Sequence, residues 1–374
     1  MSMIKIFHIL TDSNIGGAGH QLLTLLSKQN GLDRSQFDIT VALPVNAKLK
    51  PAFEQQGIYC TELPHLAESS FSVRVVRVLL AEMKKLKPQI VHTHASLSGR
   101  IAARLYRKCK IVHTRHSYFE VADWRRMSIL TRLVYGLFNN GLSDTIIAVS
   151  PAVKDNLIAL GTSEKKIQVI FNGSPPVKKF DQGERAGLRV KYNIPQDAFV
   201  LAQVARLTEI KGQDYVLDAV KDMSNVIVLM AGIGDSRSHL EARIKNENIN
   251  NVRLLGFVDA TEELFAIADV QISASYGTEA TSMALVQGMS AGIPAIATNY
   301  GGNPYVIKNK ENGLLIPTRN AQALKLAIHL LQNDRALYAH TLERAIEIYN
   351  TQFTAEEMTA KTQQLYKELL HSEN

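Results

Sequence analysis

The sequence predicts an α/β protein built from two doubly wound domains, and three observations lead to this prediction. The chain has 374 residues, more than one hydrophobic core usually organises, and 46% of them are apolar. Short β-branched runs alternate with longer segments of helical period. This alternation stops at NGSPPVKKFDQGE and then starts again. Strands separated by helices favour parallel sheets covered on both faces, so each half of the chain should form one such sheet.

The order of the predicted elements sets the domain boundaries. The first half contains the strands IKIFHIL, FDITVAL, QIVHTH, KIVHTRH, DTIIAVS and KIQVIFNG, with helical segments at 19–29 and 72–85. The second half contains FVLAQVAR, NVIVLMAG, NVRLLGFV, DVQISAS, IPAIAT and NGLLIPT. Turn residues crowd at 172–181, which predicts domains at 1–172 and 173–353. A capping box at Thr354 and Glu357 starts a final helix of about 354–374, which we expect to pack back on the first domain.

Composition excludes several classes of protein. No run approaches the roughly 18 apolar residues of a membrane-spanning helix. The opening segment MSMIKIFHIL has the pattern of a strand rather than of a signal peptide, and the two cysteines, Cys60 and Cys109, give no disulfide framework. We therefore expect a cytoplasmic location.

The net charge of +7 is distributed unevenly. Through Pro176 the chain has 22 Lys and Arg against 12 Asp and Glu, a net charge of +10, and the remainder carries −3. The segment Arg74–Arg132, which we call the basic strip, holds 14 Lys and Arg against three acidic residues. Such a strip indicates either an anionic partner surface or ordinary solvated helix faces.

An anionic membrane is the partner that best fits the basic strip. Basic residues near an anionic leaflet contribute about 1 kcal/mol each. Trp124, beside Arg125 and Arg126, could add an amphipathic anchor at the headgroup level. We expect the first domain to bind peripherally to the inner face of the cytoplasmic membrane, and we expect no nucleic acid partner.

Two loops have residues suited to phosphate binding. Gly16 and Gly17 follow the first strand and precede a helix, where glycines allow close approach to a phosphate or sugar, although a tight turn without a ligand would look the same. The spacing does not match the dinucleotide fingerprint. In the second half, Arg206 and Lys211 share the loop after a strand, and two such cations can neutralise a diphosphate. An incidental pair of charges on a solvated loop is the alternative.

We expect the segment GTEATSMALVQGMSAGIP to lie near the loop of Arg206 and Lys211. It predicts a helix that is capped by Thr281 or Ser282 and ends at Gly292. The first-turn amides of this helix form an anion site. Glu279, just before the helix, suits neutral hydroxyls, and the Gln287 amide can bind a vicinal diol. Diphosphate, sugar hydroxyls and ribose hydroxyls together describe a nucleotide sugar.

Nearly the whole chain resembles a family 4 glycosyltransferase of the GT-B fold. The landmarks, in order, are GGAGH, VHTHASLSG, HTRH, AVSPAVKDNL, VIFNG, ARLTEIKG, AGIGD, LLGFV, the Glu279 segment and AIATNYGGNPYVI. Three positions depart from the family pattern. Gln287 replaces the second Glu of the E-x7-E motif, Tyr305 replaces the Glu of GGxPE, and Ala205 replaces a Gly. The departures affect the identity and affinity of the nucleotide more than the reaction class.

The resemblance implies two Rossmann-like domains facing a central cleft, with a nucleotide-sugar donor between them. It assigns Glu279 to the hydroxyls of the donor sugar, Gln287 to the ribose and His116 to a place beside the donor. The catalytic residues it implies are Arg206, Lys211, Glu279 and His116. The donor-binding residues it implies are Gly16, Gly17, Arg206, Lys211, Gly232, Gly234, Phe257, Val258, Glu279, Thr281, Ser282, Met283 and Gln287.

The same resemblance implies the reaction. A sugar would move from a nucleotide sugar, expected to be a UDP-sugar, to a lipid-linked or cell-envelope glycan acceptor with retention of anomeric configuration. No metal and no other cofactor is expected, and His92 and His94 are interpreted as structural. A nucleotide-sugar epimerase of similar fold and an inactive nucleotide-sugar-binding protein remain alternatives. A Rossmann dehydrogenase is the weakest alternative because neither half has its fingerprint.

Overall fold

The structure is a computed structural model that describes residues 3–13, 16–67, 71–118 and 129–371. Trp124, Arg125 and Arg126 of the basic strip lie outside these residues. The strands are β1 (Ile4–Leu10), β2 (Phe37–Pro44), β3 (Tyr59–Leu63), β4 (Ile90–His94), β5 (Lys110–Arg115), β6 (Thr145–Ala148), β7 (Ile167–Val169), β8 (Phe199–Val204), β9 (Val226–Ala231), β10 (Val252–Gly256), β11 (Val270–Ser273), β12 (Ala295–Thr298) and β13 (Gly313–Ile316).

The helices lie between these strands and continue beyond the last one. They are α1 (Gly17–Leu25), α2 (Lys50–Gln55), α3 (Val73–Leu86), α4 (Leu97–Tyr106), α5 (Ile129–Leu142), α6 (Pro151–Ala159), α7 (Gln182–Lys191), α8 (Gln213–Val220), α9 (Arg237–Asn246), α10 (Thr261–Ile267), α11 (Met283–Ser290), α12 (Asn303–Val306), α13 (Ala321–Asn333), α14 (Arg335–Gln352) and α15 (Ala355–His371). Within the described ranges, no helix is both long and apolar enough to cross a bilayer.

The chain divides into two compact units. Unit 1 comprises Met1–Pro175 together with Ala355–Asn374, and unit 2 comprises Pro176–Thr354. The final helix, α15, is therefore part of unit 1, where Met358 and Tyr366 are buried in the core.

The sheet of unit 1 has the order β3-β2-β1-β4-β5-β6-β7, and its paired strands are parallel. Helices α1 and α15 cover one face, and α3 and α4 cover the other. In α3 the helical spacing of Val75, Leu79 and Met83 puts them on the buried side, and the Ser72 hydroxyl caps the helix by accepting from the amide of Val75. The order of strands reverses between β1 and β4.

The sheet of unit 2 repeats this plan in the order β10-β9-β8-β11-β12-β13, again with parallel pairs. Helices α8, α9 and α13 bury apolar side chains on one face, and α7 and α10 bury theirs on the other. Here the order of strands reverses between β8 and β11. In open α/β sheets, ligands bind outside the carboxyl ends of the strands at such a reversal.

The strands predicted from the sequence are all present, but β3 was not predicted. Its first residue, Tyr59, is exposed and only its last, Leu63, is buried. An edge strand of this kind shows little hydrophobic alternation, and β3 is specified by its pairing with β2. Helix α1 also begins and ends earlier than predicted, at Gly17 and Leu25.

Candidate functional site

The loops that follow β8 and β11 carry the predicted cations, Arg206 and Lys211, and Glu279. Because β8 and β11 are neighbours, these loops leave the sheet side by side at the reversal of strand order. Two amide side chains in unit 2 hold the first loop by its backbone. Gln213 Nε2 donates to the carbonyl of Arg206 at 2.9 Å, and Gln203 Nε2 donates to the carbonyl of Lys211 at 3.1 Å. Both amides are buried, so the backbone of Arg206 and of Lys211 is held by hydrogen bonds from the interior of unit 2.

Glycines let the backbone segments at this edge approach closely. Gly212 has φ +70°, and a Cβ there would lie 2.2 Å from the carbonyl oxygen of Ala274. Gly232 has φ +150°, and its Cβ would lie 1.9 Å from the carbonyl oxygen of Ala205. Neither position could take a side chain without movement of the backbone. Gly232 thus has a structural reason to be glycine as well as the predicted role beside the donor.

Lys211 and Glu279 form an ion pair that the sequence did not reveal. Lys211 Nζ donates to Glu279 Oε2 at 2.6 Å, and the two side chains are 14% and 9% exposed. The prediction gave the two residues separate tasks, Lys211 with the diphosphate and Glu279 with the sugar. In the structure, each side chain also holds the other in place, while the Arg206 side chain is exposed.

Helix α11 is positioned by its cap and by close contact with the sheet. The Ser282 hydroxyl accepts a hydrogen bond from the amide of Leu285, so Ser282 is the N-cap rather than Thr281. Gly292, with φ +78°, follows the helix, as predicted. A Cβ at Gly288 would lie 2.4 Å from the Gln271 side chain of β11, so glycine lets the helix lie directly on the strand. The first-turn amides therefore have a fixed direction.

The other residues predicted to contact the nucleotide differ in where they lie. Met283 and Gln287 are partly exposed on α11, and Thr281 and Ser282 are buried beside Glu279. Phe257 and Val258 follow β10, which is two strands away from β8. The Phe257 side chain is 63% exposed, a surface on which a planar ring could stack.

In unit 1, the predicted glycines lie at the start of α1. Gly16 is the N-cap residue, and a Cβ there would lie 2.3 Å from Asp12 Oδ2. At Gly17 a Cβ would meet no described atom within 4 Å. Packing against the described residues therefore does not require glycine at this position. The space beside Gly17 is open to a ligand among these residues.

His116 follows β5 and belongs to a group of histidines that the sequence reasoning did not assemble. Its Nε2 lies 3.0 Å from Nδ1 of His94, and Nε2 of His94 lies 3.2 Å from Nδ1 of His8. Burial lowers the pKa of His116 to about 4, with a further contribution from the charge of Arg115. Burial also lowers the pKa of His8 and His94 well below the ordinary value, so these rings are neutral. One pattern in the sequence does indicate part of this group. Side chains of a strand alternate with a period of two, so VHTH puts His92 and His94 on the same face.

Three of the buried histidines meet the distance requirement for a metal site. Ring nitrogens of His8, His92 and His94 lie within 4.8 Å of one another. However, the nitrogens of His92 are already hydrogen-bonded, Nδ1 with Tyr366 Oη at 2.6 Å and Nε2 with Thr114 Oγ1 at 2.7 Å. The rings of His92 and His94 are stacked, 4.5 Å apart with 25° between their planes. Lone pairs lie in the ring planes, so those of two stacked rings do not converge on one ion.

Two family models match the chain on either side of the boundary between the units. The model of Glycosyltransferase Family 4 matches residues 15–176, and that of Glycosyl transferases group 1 matches residues 184–348. Together they match most of the chain, which therefore belongs to the family 4 glycosyltransferases and has the GT-B fold.

Two curated relatives illustrate the range of similarity. The lipopolysaccharide core biosynthesis glycosyltransferase LpsE of Rhizobium meliloti (strain 1021) is 28% identical over 232 residues, which cover 61% of this chain and 64% of that protein. The match thus spans less than two thirds of LpsE. The UDP-Gal:alpha-D-GlcNAc-diphosphoundecaprenol alpha-1,3-galactosyltransferase of Escherichia coli is 26% identical over 360 residues, 90% of each chain.

Solved structures agree on the fold. HepE of Anabaena, in a complex with UDP and glucose, superposes with a TM-score of 0.84 and 20% identity, covering 98% of this chain and all of HepE. Sucrose-phosphate synthase of Thermosynechococcus elongatus gives a TM-score of 0.79 with 18% identity, covering 99% of this chain and all of that one.

Proposed function

We propose that this chain transfers a sugar from a nucleotide sugar, a UDP-sugar, to a lipid-linked or cell-envelope glycan, with retention of anomeric configuration. The observation that carries the proposal is the arrangement at the carboxyl edge of unit 2. There the loop of Arg206 and Lys211 adjoins Glu279 and the N-terminus of α11. Positive charge suited to a diphosphate and a carboxylate suited to sugar hydroxyls occupy one edge of the sheet.

The proposed chemistry is a displacement on one face of the sugar. The bond from the anomeric carbon to the diphosphate breaks, the acceptor hydroxyl oxygen forms the new bond on the same face, and the departing diphosphate takes the hydroxyl proton. The protein stabilises the charge that develops on the diphosphate through Arg206, Lys211 and the amides of α11. In this proposal these groups supply the positive charge, and no metal ion takes part.

The names of similar proteins support the choice of donor and acceptor. HepE was solved with UDP and glucose, and the E. coli relative is named for UDP-galactose and for an acceptor on diphosphoundecaprenol. Together with the basic strip, these names favour a UDP-sugar and a lipid-linked glycan. Epimerisation and binding without catalysis remain the alternatives, the second because Gln287 replaces a family Glu.

The surface of unit 1 supports the proposal of a membrane location. Helices α3 and α4, which pack together, expose basic side chains of the strip: Arg74, Arg77, Lys84, Lys85 and Arg104, with Lys87 just beyond α3 and Arg107 and Lys108 just beyond α4. Helix α5, which contacts α4, exposes apolar side chains, with Ile129 75% and Leu137 72% exposed. A basic surface beside an apolar one is suited to an anionic lipid surface, where a lipid-linked acceptor would be found.

The test of transfer is nucleotide release that depends on an acceptor. We expect one UDP-sugar to raise the free energy of unfolding by about 2.7 kcal/mol at 100 times its dissociation constant, with GDP- and ADP-sugars doing less. That donor should release UDP only with an undecaprenyl-diphosphate-linked glycan present, and NMR of the product should show the anomer of the donor. EDTA should leave the rate unchanged. Epimerised donor without an acceptor, or binding without release, would identify the alternatives.

A substitution of Arg206 tests the proposed stabilisation of the departing diphosphate. Arg206→Ala should lower turnover by roughly two to three orders of magnitude, the usual effect of losing one contact that stabilises transition-state charge. Arg335→Ala, an exposed arginine at the start of α14 in the same unit, is the control and should keep wild-type turnover. Wild-type rates for a folded Arg206→Ala protein would contradict the assignment.

The membrane location is tested by vesicle sedimentation. Binding should require anionic lipid and fall with salt, because exposed charges are screened. Neutralising Arg107 and Lys108 should weaken it, as should Ile129→Ser with Leu137→Ser. Equal recovery with neutral and anionic vesicles would leave a transferase that does not use this surface.

A further inference from the structure

Three histidines of unit 1 form a ribbon of imidazole rings joined edge to edge, which we call the histidine ribbon: His8, His94 and His116. The joining nitrogens are 3.2 Å apart between His8 and His94 and 3.0 Å apart between His94 and His116. The ring planes differ by only 22° and 23°, and the ring centroids are 5.5 and 5.3 Å apart. These centroid separations exceed the nitrogen separations by roughly one ring width, so the rings meet through in-plane hydrogen bonds rather than by stacking.

The sheet register explains why the three rings meet. β4 lies between β1 and β5, with His8 opposite His92 and His94 opposite Thr114. Because side chains alternate between faces with a period of two, His94 shares the face of His92, and His116 continues the face of Thr114. The ribbon therefore crosses β1, β4 and the end of β5 at their carboxyl ends. It runs from the fully buried His8 to the partly exposed His116.

A neutral ribbon has a single direction. A neutral imidazole carries one N–H and one lone pair, on different nitrogens. Both nitrogens of His94 are engaged, one with each neighbour, so His94 must donate to one histidine and accept from the other. The tautomers of His8, His94 and His116 are consequently coupled, and the buried end determines which nitrogen of His116 bears the proton.

The surroundings of His8 select one of the two directions. Nε2 of His8 is buried and has no hydrogen-bond partner among the described residues. An N–H at this nitrogen would be left buried without an acceptor, which costs more than a bare lone pair, and the positive charge of Arg34 also disfavours a further proton on His8. Arg115 acts in the same way on His116, but His116 is partly exposed, so an N–H at its Nδ1 can hydrogen-bond to water. His8 and His94 then carry their protons on Nδ1, and His116 accepts at Nε2.

The ribbon also explains the histidines that satisfy the distance requirement for a metal. Both nitrogens of His94 are used within the ribbon, and both nitrogens of His92 are used by Tyr366 and Thr114. An ion bound among these rings would have to break hydrogen bonds that are already made. The hydrogen-bonded arrangement therefore accounts for these nitrogens without an ion.

We infer that His94 and His8 are positioning residues that hold His116 as a neutral hydrogen-bond donor through its Nδ1–H. This inference rests on the proposed function and on the family resemblance, which implies that His116 lies beside the donor. There a fixed N–H would donate to an oxygen of the nucleotide sugar, either a hydroxyl or a phosphate oxygen. An unconstrained histidine would divide its population between two tautomers, of which only one donates from Nδ1.

The direct test is nitrogen NMR of the full-length protein with 15N-labelled histidine at pH 7, where each ring reports which nitrogen is protonated. We expect His8, His94 and His116 all to be protonated on Nδ1 in the wild-type protein. His94→Leu should shift His116 to a mixture of tautomers, whereas His113→Gln should leave it unchanged. His113 is a matched control because it is buried in β5 and hydrogen-bonds to Thr93 outside the ribbon. Protonation of His116 on Nε2 in the wild-type protein would overturn the inference, whether or not any variant folds.

A kinetic cycle separates positioning from general stability. His94→Leu and His116→Ala should each lower kcat/KM by about tenfold, the usual effect of one lost hydrogen bond to substrate. If His94 acts through His116, adding His94→Leu to His116→Ala should cause no further loss. Multiplied losses in the double variant would show that His94 acts independently and would overturn the positioning role. Should no donor and acceptor support transfer, the proposed function fails, but the NMR result still decides the direction of the ribbon.

Discussion

The two units share a doubly wound parallel sheet but use opposite chemistry at its carboxyl edge. Unit 2 places charge there, with the exposed Arg206 and the largely buried pair of Lys211 and Glu279. Unit 1 places neutral histidines there, held uncharged by burial. One edge is thus suited to bind an anion by charge and the other to offer directed hydrogen bonds. The comparison shows that the same fold can carry either charged or neutral hydrogen-bonding groups at this edge. The sheet determines only where the side chains lie, and the sequence determines which side chains they are.

The largest expected effect comes from breaking the ion pair of unit 2. Lys211→Met and Glu279→Gln should each lower the free energy of unfolding by about 3 kcal/mol, because removing one partner leaves the other charge largely buried without compensation. Urea denaturation of the single variants and of the double variant would measure the coupling. The double variant should be more stable than the sum of the two losses predicts. Additive losses would mean that the interaction between Lys211 and Glu279 contributes little to the free energy of unfolding. The two units would then differ in how exposed their polar groups are, and not in a stabilising ion pair.

The second prediction concerns Gly17 of unit 1. Gly17→Ala should keep or slightly raise stability, since alanine favours a helix by up to about 1 kcal/mol over glycine and its methyl group meets no described atom. If a phosphate or sugar lies against Gly17, kcat/KM should fall by about tenfold to a hundredfold through misplacement of the donor. Gly187→Ala in α7 is the matched control, because its Cβ also meets no described atom within 4 Å. Normal kinetics for Gly17→Ala would remove this glycine from the donor site.

The third prediction uses pH to distinguish the units. The pKa of His8 and His94 is well below the ordinary value of about 6.5, and that of His116 is about 4. As the pH falls below about 6.5, the unfolded chain takes up protons that folded unit 1 does not, so its stability falls with falling pH. Each such histidine contributes up to about 1.4 kcal/mol per pH unit.

Hydrogen exchange measured by mass spectrometry between pH 7 and 5, corrected for intrinsic exchange rates, checks this difference. Protection should fall in unit 1 before unit 2, where the histidines are exposed: His239, His329 and His340. His113→Gln, which removes one buried histidine with a lowered pKa, should make the dependence in unit 1 shallower. Parallel loss of protection in both units would contradict the assignment of the acid sensitivity to the buried histidines.

The smallest expected effect concerns Gln287. If its amide binds the ribose, a 2′-deoxy nucleotide sugar should bind more weakly by about 1 kcal/mol, the net contribution of one neutral hydrogen bond. Gln287→Ala should remove most of this preference, and isothermal titration with both donors measures it. Equal affinity of the wild-type protein for both donors would leave Gln287 as a packing residue of α11.

The sequence alone determined the architecture of both units and the position of α11 in unit 2. Alternation of β-branched runs with helical segments predicted both parallel sheets, because each strand and helix is encoded by a local period. The edge strand β3 escaped because it is mostly exposed and depends on its pairing with β2. The helix signals around Ser282 and Gly292 located α11, since caps are also local.

Only the tertiary structure decided which polar groups meet. Lys211 and Glu279 are separated by 68 positions, and His8 and His94 by 86. No local pattern encodes such contacts, because they depend on the strand order that makes β8 a neighbour of β11 and β1 a neighbour of β4. The sequence therefore supplied the chemical groups and their positions along each strand. Packing then buried these groups. Burial made the histidines neutral, and packing brought Lys211 and Glu279 together as an ion pair.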